Sequence, residues 1–195
     1  MCAKAIEKQG EKRKAIMDAA LKLFCEKCFQ DTSTASISQE AKVATGTLFL
    51  YFESKEELIN HLYLESKEEY AAYVEEGVCD RKTFKQRLKH IWERSIQWHL
   101  DNPNKVQFMV QFWSSPLITK MTREKAMNRL TLVTEVVKQA VTNKEVSTTS
   151  VEWLSAVVSG HISTSARFII DNPQPKNLQK WLDEGFEFLW KGIQR

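Results

Sequence analysis

A chain of 195 residues, 43% hydrophobic and 27% charged, can bury a core without a disulfide or metal staple. Six glycines and four prolines are too few for a strand-and-turn fold and favour long helices. The net charge of +3 does not by itself announce a nucleic-acid partner. No run approaches the roughly 20 apolar residues of a membrane span, and the first residues lack the apolar stretch of a signal peptide, so a cytoplasmic protein with reduced cysteines is expected.

The basic excess sits at the start, where Lys4, Lys8, Lys12, Arg13 and Lys14 outnumber Glu7 and Glu11. Such a cluster can reach phosphates, although a solvated helix face would look the same. Ile16, Ala20, Leu23 and Phe24 place one apolar stripe on a first helix of about 9–27. After a polar break, Thr34 can cap a short helix to about Ala41. A tight turn at 42–44 then leads into a third helix over about 45–52. Ser54-Lys55-Glu56-Glu57 reads as a capping box in which Glu57 reaches back to the Ser54 amide. It opens a long helix that Gly77 stops.

Asp80 can cap the next helix, with Phe84, Leu88, Ile91, Trp92 and Ile96 on its apolar face, ending before Pro103. Asn104 with Gln107, and Thr149 with Glu152, read as two further capping boxes. Between them a single long helix is expected over about 120–142. After the Asn172-Pro173-Gln174-Pro175 loop, Asn177 can cap a last helix containing Trp181, Leu182, Phe188 and Leu189. The sum is an all-α chain of about nine helices. A compositional step near Glu53 divides it into an N-terminal three-helix domain, 1–53, and a helical body, 54–195.

The informative stretch is Arg13 to Leu58. Ala19-Ala20, Leu23-Phe24, Phe29, Ile37, Ala41, Val43, Gly46-Thr47-Leu48, Phe52 and Ser54-Lys55-Glu56-Glu57-Leu58 stand at fixed spacing. This pattern resembles the helix-turn-helix domain of the TetR family of bacterial regulators. Ala41, Val43, Leu48 and Phe52 are spaced to pack the short helices together. That leaves Lys42, Thr45 and Thr47 outward and the second short helix free to enter a major groove. Gly46 lets backbone approach DNA closely. Thr hydroxyls suit phosphate oxygens and Thr methyls suit thymine methyls. The resemblance implies that Thr34, Ser36, Lys42, Ala44, Thr45, Gly46, Thr47, Phe49, Tyr51 and Lys55 form the face on double-stranded operator DNA, with Lys55 as a phosphate-binding lysine. Capping is an equally good reason for Thr34 and Ser54.

The chain departs from the family pattern at Cys28 and Lys42, where glycine is usual, and at Ser38, Ala44 and Phe49. Cys28 and Lys42 are therefore expected to tolerate positive φ or to relax their turns. Ala44 cannot cap the third helix, a role left to Thr45. Phe49 lacks the usual tyrosine hydroxyl, leaving Tyr51 or Lys42 to compensate.

The resemblance further implies a homodimeric repressor, released from its operator by a small apolar or amphipathic inducer held in the C-terminal body. Tyr63, Tyr70, Trp92, Trp98, Phe108, Met109, Phe112 and Trp113 are dense enough to wall such a pocket. Each taken singly fits ordinary core as well. Trp153, Val157, His161 and Phe168, with Trp181, Phe188 and Leu189, can form a four-helix seam between subunits. No cofactor, metal or membrane contact is expected. Cys25 and Cys28 have no second ligand pair, and structural thiols are the simpler reading beside a redox role. No nucleophile–base set or phosphate loop points to an enzyme. A small helical enzyme, or an adaptor whose helix-turn-helix only packs, is the alternative.

Overall fold

The computed structural model describes residues 2–195, and their side chains except those of 2–8 and 175. It contains ten α-helices: α1 (Cys2–Glu26), α2 (Thr34–Glu40), α3 (Thr45–Phe49), α4 (Lys55–Glu75), α5 (Phe84–Asp101), α6 (Pro103–Phe112), α7 (Lys120–Met127), α8 (Thr131–Thr142), α9 (Val151–Asp171) and α10 (Leu178–Ile193). Short 3-10 turns stand at Val78–Asp80 and Pro175–Asn177. The only extended pairing among the described residues is one bridge, Val146 with Gln194. The all-α class expected from the sequence is the one observed, with ten helices among the described residues rather than about nine.

The extra helix comes from the expected 120–142 segment, which breaks at 128–130. A break frees backbone amides at the start of α8, and Leu130 at the cap position has no side-chain acceptor. The Glu75 carboxylate of α4 supplies one, accepting from the Leu132 amide (2.7 Å) and the Val133 amide (3.1 Å). Its negative charge also complements the start of the α8 dipole. The acceptor lies 57 residues upstream, so local sequence gives no sign of it.

Other helix starts are capped by neighbours of the residues expected. Ser33, not Thr34, caps α2 in a reciprocal box with Ser36. The Ser54 hydroxyl accepts from the Glu57 amide (3.0 Å), but the Glu57 carboxylate takes the Glu53 amide rather than that of Ser54. Thr83 with Gln86, not Asp80, opens α5. Ser150, not Thr149, opens α9, and its hydroxyl donates to the Glu152 carboxylate (3.0 Å). Pro103 begins α6, where a missing N–H costs nothing. The Asn104–Gln107 box does not form, because Asn104 lies inside α6 rather than at its cap, and the Gln107 side-chain amide donates instead to the Cys25 carbonyl (3.3 Å). Asn177 makes no side-chain cap on α10.

The chain divides into two units, the first built from 1–68 and 103–127, the second from 69–102 and 128–195. In the first, Ile16, Ala20, Leu23 and Phe24 of α1 are buried as their spacing requires, together with Ile37, Leu48, Phe52 and Leu58. Phe24 anchors an aromatic cluster with Phe29, Phe108 and Phe112 at centroid distances of 5.5, 6.3 and 6.2 Å. The second unit closes around Trp92. Its indole donates to the Leu182 carbonyl (3.1 Å) and stacks on His161 (5.0 Å), among Leu154, Val158, Phe186 and Leu189.

Candidate nucleic-acid interface

The α2–α3 turn is a Schellman stop. The Val43 amide donates to the Ser38 carbonyl (2.9 Å) and the Lys42 amide to the Gln39 carbonyl (3.1 Å). This places Lys42 at the left-handed position, φ +55°, where a side chain costs roughly 1 kcal/mol. The expectation of positive φ therefore holds for Lys42. For Cys28 the other alternative holds: its φ is not positive, and the relaxed turn after α1 is closed by hydrogen bonds. The Thr32 hydroxyl donates to the Cys28 carbonyl (3.1 Å), and the Asp31 amide reaches the same carbonyl.

With the turn fixed, Leu48 and Phe52 go inside and Ala41 and Val43 are partly covered. Lys42, Ala44, Thr45 and Gly46 are exposed, and Thr47 and Tyr51 half-buried. Phe49 keeps 48% of its surface and Leu50 keeps 82%. The sequence carries a signal for the exposure of Leu50, which lies about 200° around a helix from Leu48 and so points away from the core. Ala44 occupies the cap position of α3 without a side-chain bond, and Thr45 does not replace it. A Cβ placed on Gly46 would meet nothing within 4 Å, and Gly46 has no positive φ. Nothing inside the chain requires glycine there.

The flanking polar residues divide into two groups. Ser36 is committed to the capping box, its hydroxyl donating to the Ser33 carbonyl (2.8 Å). Thr34, half-buried, is outside that box. Lys55 is the main departure from expectation. Its ammonium donates to the carbonyls of Phe29 (2.6 Å) and Thr32 (2.8 Å) and lies 4.0 Å from the Phe29 ring centroid. It holds the α1–α2 turn in place, and only one of its three protons is left for any phosphate. Of the basic cluster at the start, Arg13 pairs with Glu65 of α4 and covers the Phe52 ring at 5.4 Å, while Lys12 and Lys14 are exposed. The side chains of Lys4 and Lys8 lie outside the described residues. Lys22 and Glu40 join α1 to α2 through a 2.7 Å ion pair, which raises the lysine pKa and lowers the glutamate's, chiefly through their mutual hydrogen bond.

The eight aromatic and Met positions expected to wall a pocket fall into two sets. Tyr63, Phe108, Met109, Phe112 and Trp113 belong to the first unit, and Tyr70, Trp92 and Trp98 to the second. Tyr70 packs on Trp98 (5.0 Å), and its hydroxyl shares a hydrogen bond with Ser95 (3.0 Å). Trp92 is sealed in the second core and leaves the pocket set. A Cβ on Gly185 would stand 2.9 Å from its indole, which shows how tightly the ring is filled in. Two open grooves of about 520 Å³ each lie elsewhere. One in the first unit is lined by Glu56, Asn60, His61, Leu64, Leu117 and Met121; the other, in the second, by Arg81, Lys82, Lys89 and His90 with Asp80 and Glu93. Neither is lined by any of the eight.

On α9, Trp153 (65% exposed), Val157, His161 and Phe168 follow one face; on α10, Phe188 is 76% exposed and Trp181 lies 5.2 Å from Phe168. His161 donates from Nε2 to the Gly185 carbonyl (2.8 Å) and stacks between Trp92 and Phe188. Leu189 is a correction. It is buried in the second core, and a side chain spent inside its own unit offers nothing to a second copy. Among the described residues, no group of three His, Cys, Asp or Glu could hold a metal ion, and no helix is long and apolar enough to cross a membrane.

A tripod of α1, α2 and α3 with a short, outward, glycine-bearing third helix, followed by a larger helical body, defines a helix-turn-helix DNA-binding regulator. The model of bacterial regulatory proteins of the tetR family matches residues 16–62. The crystal structure of a tetR-family protein from Shewanella sp. PV-4 is 31% identical, covers 94% of this chain and 98% of its own, and superposes with a TM-score of 0.85. A fatty acid metabolism regulator protein of Bacillus subtilis is 32% identical over 73 residues, 37% of this chain and 38% of its own length. The structure of the regulator FadR from Bacillus subtilis, solved in complex with stearoyl-CoA, shares the fold at 21% identity, with a TM-score of 0.73 over 93% of this chain and 99% of that one. The chain belongs to the TetR family of bacterial transcription regulators. That family supports the regulator and not the enzyme or adaptor alternative.

Proposed function

We propose that this regulator is a cytoplasmic, homodimeric repressor without catalytic activity, gripping duplex operator DNA through 1–53 and answering to a small amphipathic molecule held by 54–195. The observation that carries the DNA contact is Gly46. A helical glycine costs up to about 1 kcal/mol relative to alanine, and no neighbour within 4 Å calls for it. Its use lies outside the chain, where only a Cβ-free backbone lets α3 sit close to a groove wall. Lys42, Thr45, Thr47, Phe49 and Tyr51 surround it, with Ala44 leaving room at the helix start. Leu50 joins them as an apolar contact suited to thymine methyls. Ser36 and Lys55 shape this face rather than grip phosphate, and Thr34 remains a phosphate contact.

The unpartnered aromatic face of α9 and α10 supports the dimer, with Trp153, Val157, His161, Phe168, Trp181 and Phe188 as its residues. A twofold axis would then set two copies of α3 about 34 Å apart or a multiple of that, matching half-sites on one side of the duplex. A ligand that fits only one spacing shifts the population away from the DNA-competent form. The Bacillus subtilis relatives make a fatty-acyl compound the first candidate.

The test is selection of bound duplexes from a random pool, then titration at fixed salt. Thr45→Glu and Thr47→Glu, each placing a carboxylate among phosphates, are expected to weaken the selected duplex at least 100-fold while the melting temperature and dimer stay unchanged. Wild-type affinity should fall steeply with added salt. Unchanged affinity in both variants would remove α3 from the groove.

A further inference from the structure

The first unit leaves two polar groups side by side without partners. Tyr63 is fully buried, and its hydroxyl makes no hydrogen bond. One helical turn on, on the same face of α4, Lys67 is half-buried and pairs with no carboxylate among the described residues. Its ammonium faces two rings instead, Trp113 at 5.3 Å and Tyr63 at 6.0 Å. The cation that acts on Tyr63, Arg123, is already spent. Its guanidinium donates to the carbonyls of Trp113 (3.1 Å), Ser115 (2.6 Å) and Ile118 (2.8 Å), which fixes the loop carrying Trp113. Phe108, 6.5 Å from the Tyr63 ring and fully buried, packs behind it, and Trp113, 47% exposed, is the outer edge.

Burial lowers the Lys67 pKa and pushes that of Tyr63 up to about 12, so the phenol stays a donor at any physiological pH. Folded proteins rarely leave a buried hydroxyl unmet, and an ammonium shielded from water without an anion is a second cost at the same place. Cation–π contact with Trp113 offsets only part of it. Both groups are donors, so one acceptor satisfies both, and an anion answers the charge as well.

We propose that Tyr63 and Lys67 are the head-group end of a ligand site that takes an anion joined to an apolar body, a fatty carboxylate in the first instance. Lys67 supplies the ion pair, the Tyr63 hydroxyl donates to the same head, and the half-exposed Trp113 ring is the first apolar contact for the body. This deepens the ligand-controlled reading above and rests on it for its regulatory meaning, though binding itself can be measured without DNA.

The experiment uses the full chain and three probes of equal length, below their micelle concentrations: dodecanoate, dodecyl phosphate and dodecanol. Calorimetry is expected to show the anions binding at least tenfold tighter than the alcohol, the tighter of the two naming the head group. Tyr63→Phe and Lys67→Met should hold or raise the ligand-free melting temperature, because each removes an unmet polar group. Both should weaken the anions at least tenfold and leave dodecanol unchanged. Equal affinity for all three probes, or variants that bind the anions like wild type, would overturn the assignment. A gel shift separates the two readings. If stearoyl-CoA releases DNA equally from wild type and both variants, ligand control stands and the head-group site falls. If the anions bind through Tyr63 and Lys67 but leave DNA bound, the site stands and ligand control falls.

Discussion

Two surfaces of this molecule expose apolar side chains, and they are built in opposite ways. The α2–α3 face uses helices of seven and five residues, too short to persist alone, held by a Schellman turn, a serine capping box and the Lys55 ammonium. It shows small residues and a glycine beside Phe49 and Leu50. The α9–α10 face lies on helices of 21 and 16 residues whose other sides fill a core, and it shows Trp153, Phe168 and Phe188. A surface made of bulky aromatics on rigid helices suits burial against an equally apolar partner. A surface made of small groups around exposed backbone suits a polar groove read at close range. On that contrast rests the proposal that one face meets a second copy and the other meets DNA.

The comparison breaks most visibly at Phe188. If the α9–α10 face is isologous, each substitution counts twice. Truncating or charging a central aromatic costs about 2 kcal/mol per copy, so Phe188→Glu should weaken the dimer by roughly three orders of magnitude. Sedimentation velocity should show a monomer with wild-type helicity. A dimer unaffected by Phe188→Glu and by Trp153→Glu would free that face of its assigned role. Gly185→Ala is the next largest and acts inside the second unit. Its Cβ would meet the Trp92 indole at 2.9 Å, and overpacking of that kind costs about 1–3 kcal/mol. Thermal melts should show a loss of several degrees.

Legibility in the sequence followed the range of the interactions. The stripe Ile16, Ala20, Leu23, Phe24 and the stop at Gly77 (φ +77°) are local, and both stood as read. The positive φ at Lys42 was legible because a glycine position of the family was filled by lysine. The break at 128–130 was not, since its amides are met by Glu75 from another helix. The intramolecular role of Lys55 is hidden for the same reason: its partners are carbonyls of Phe29 and Thr32, more than 20 residues away. The observed caps stand one or more residues from those the sequence suggests because Ser and Thr crowd the helix starts, and only backbone geometry chooses among Ser33, Thr34, Thr149 and Ser150. The orphaned Tyr63 hydroxyl could not be seen at all, since burial without a partner is a property of packing.

Gly46→Ala sharpens the contrast between folding and binding. Open space around the new Cβ means that the fold gains, by up to about 1 kcal/mol in α3. The selected DNA should nevertheless bind at least tenfold more weakly. A variant more stable and equally competent would show that the glycine serves neither purpose.

The smallest effect is the cleanest control, because the chain contains the same motif twice. Lys144 closes α8 as Lys42 closes α2, with φ +57° against +55°, and with the matching pair of bonds, Glu145 amide to Ala140 carbonyl (2.9 Å) and Lys144 amide to Val141 carbonyl (3.1 Å). Glycine at either position removes the left-handed penalty, so Lys42→Gly and Lys144→Gly should each add about 0.5–1 kcal/mol, read as an upward shift of a few degrees in melting. Their DNA affinities should then part. Lys144 sits in the second unit, and its loss should leave binding and salt dependence as they were. Lys42 stands exposed beside α3, and losing its charge should weaken all duplexes alike and flatten the salt slope by about one counterion. Equal stabilisation with divergent salt slopes would assign Lys42 to phosphate. Equal slopes would mean that Lys42 stands in the turn for its geometry alone, with its side chain unused by DNA.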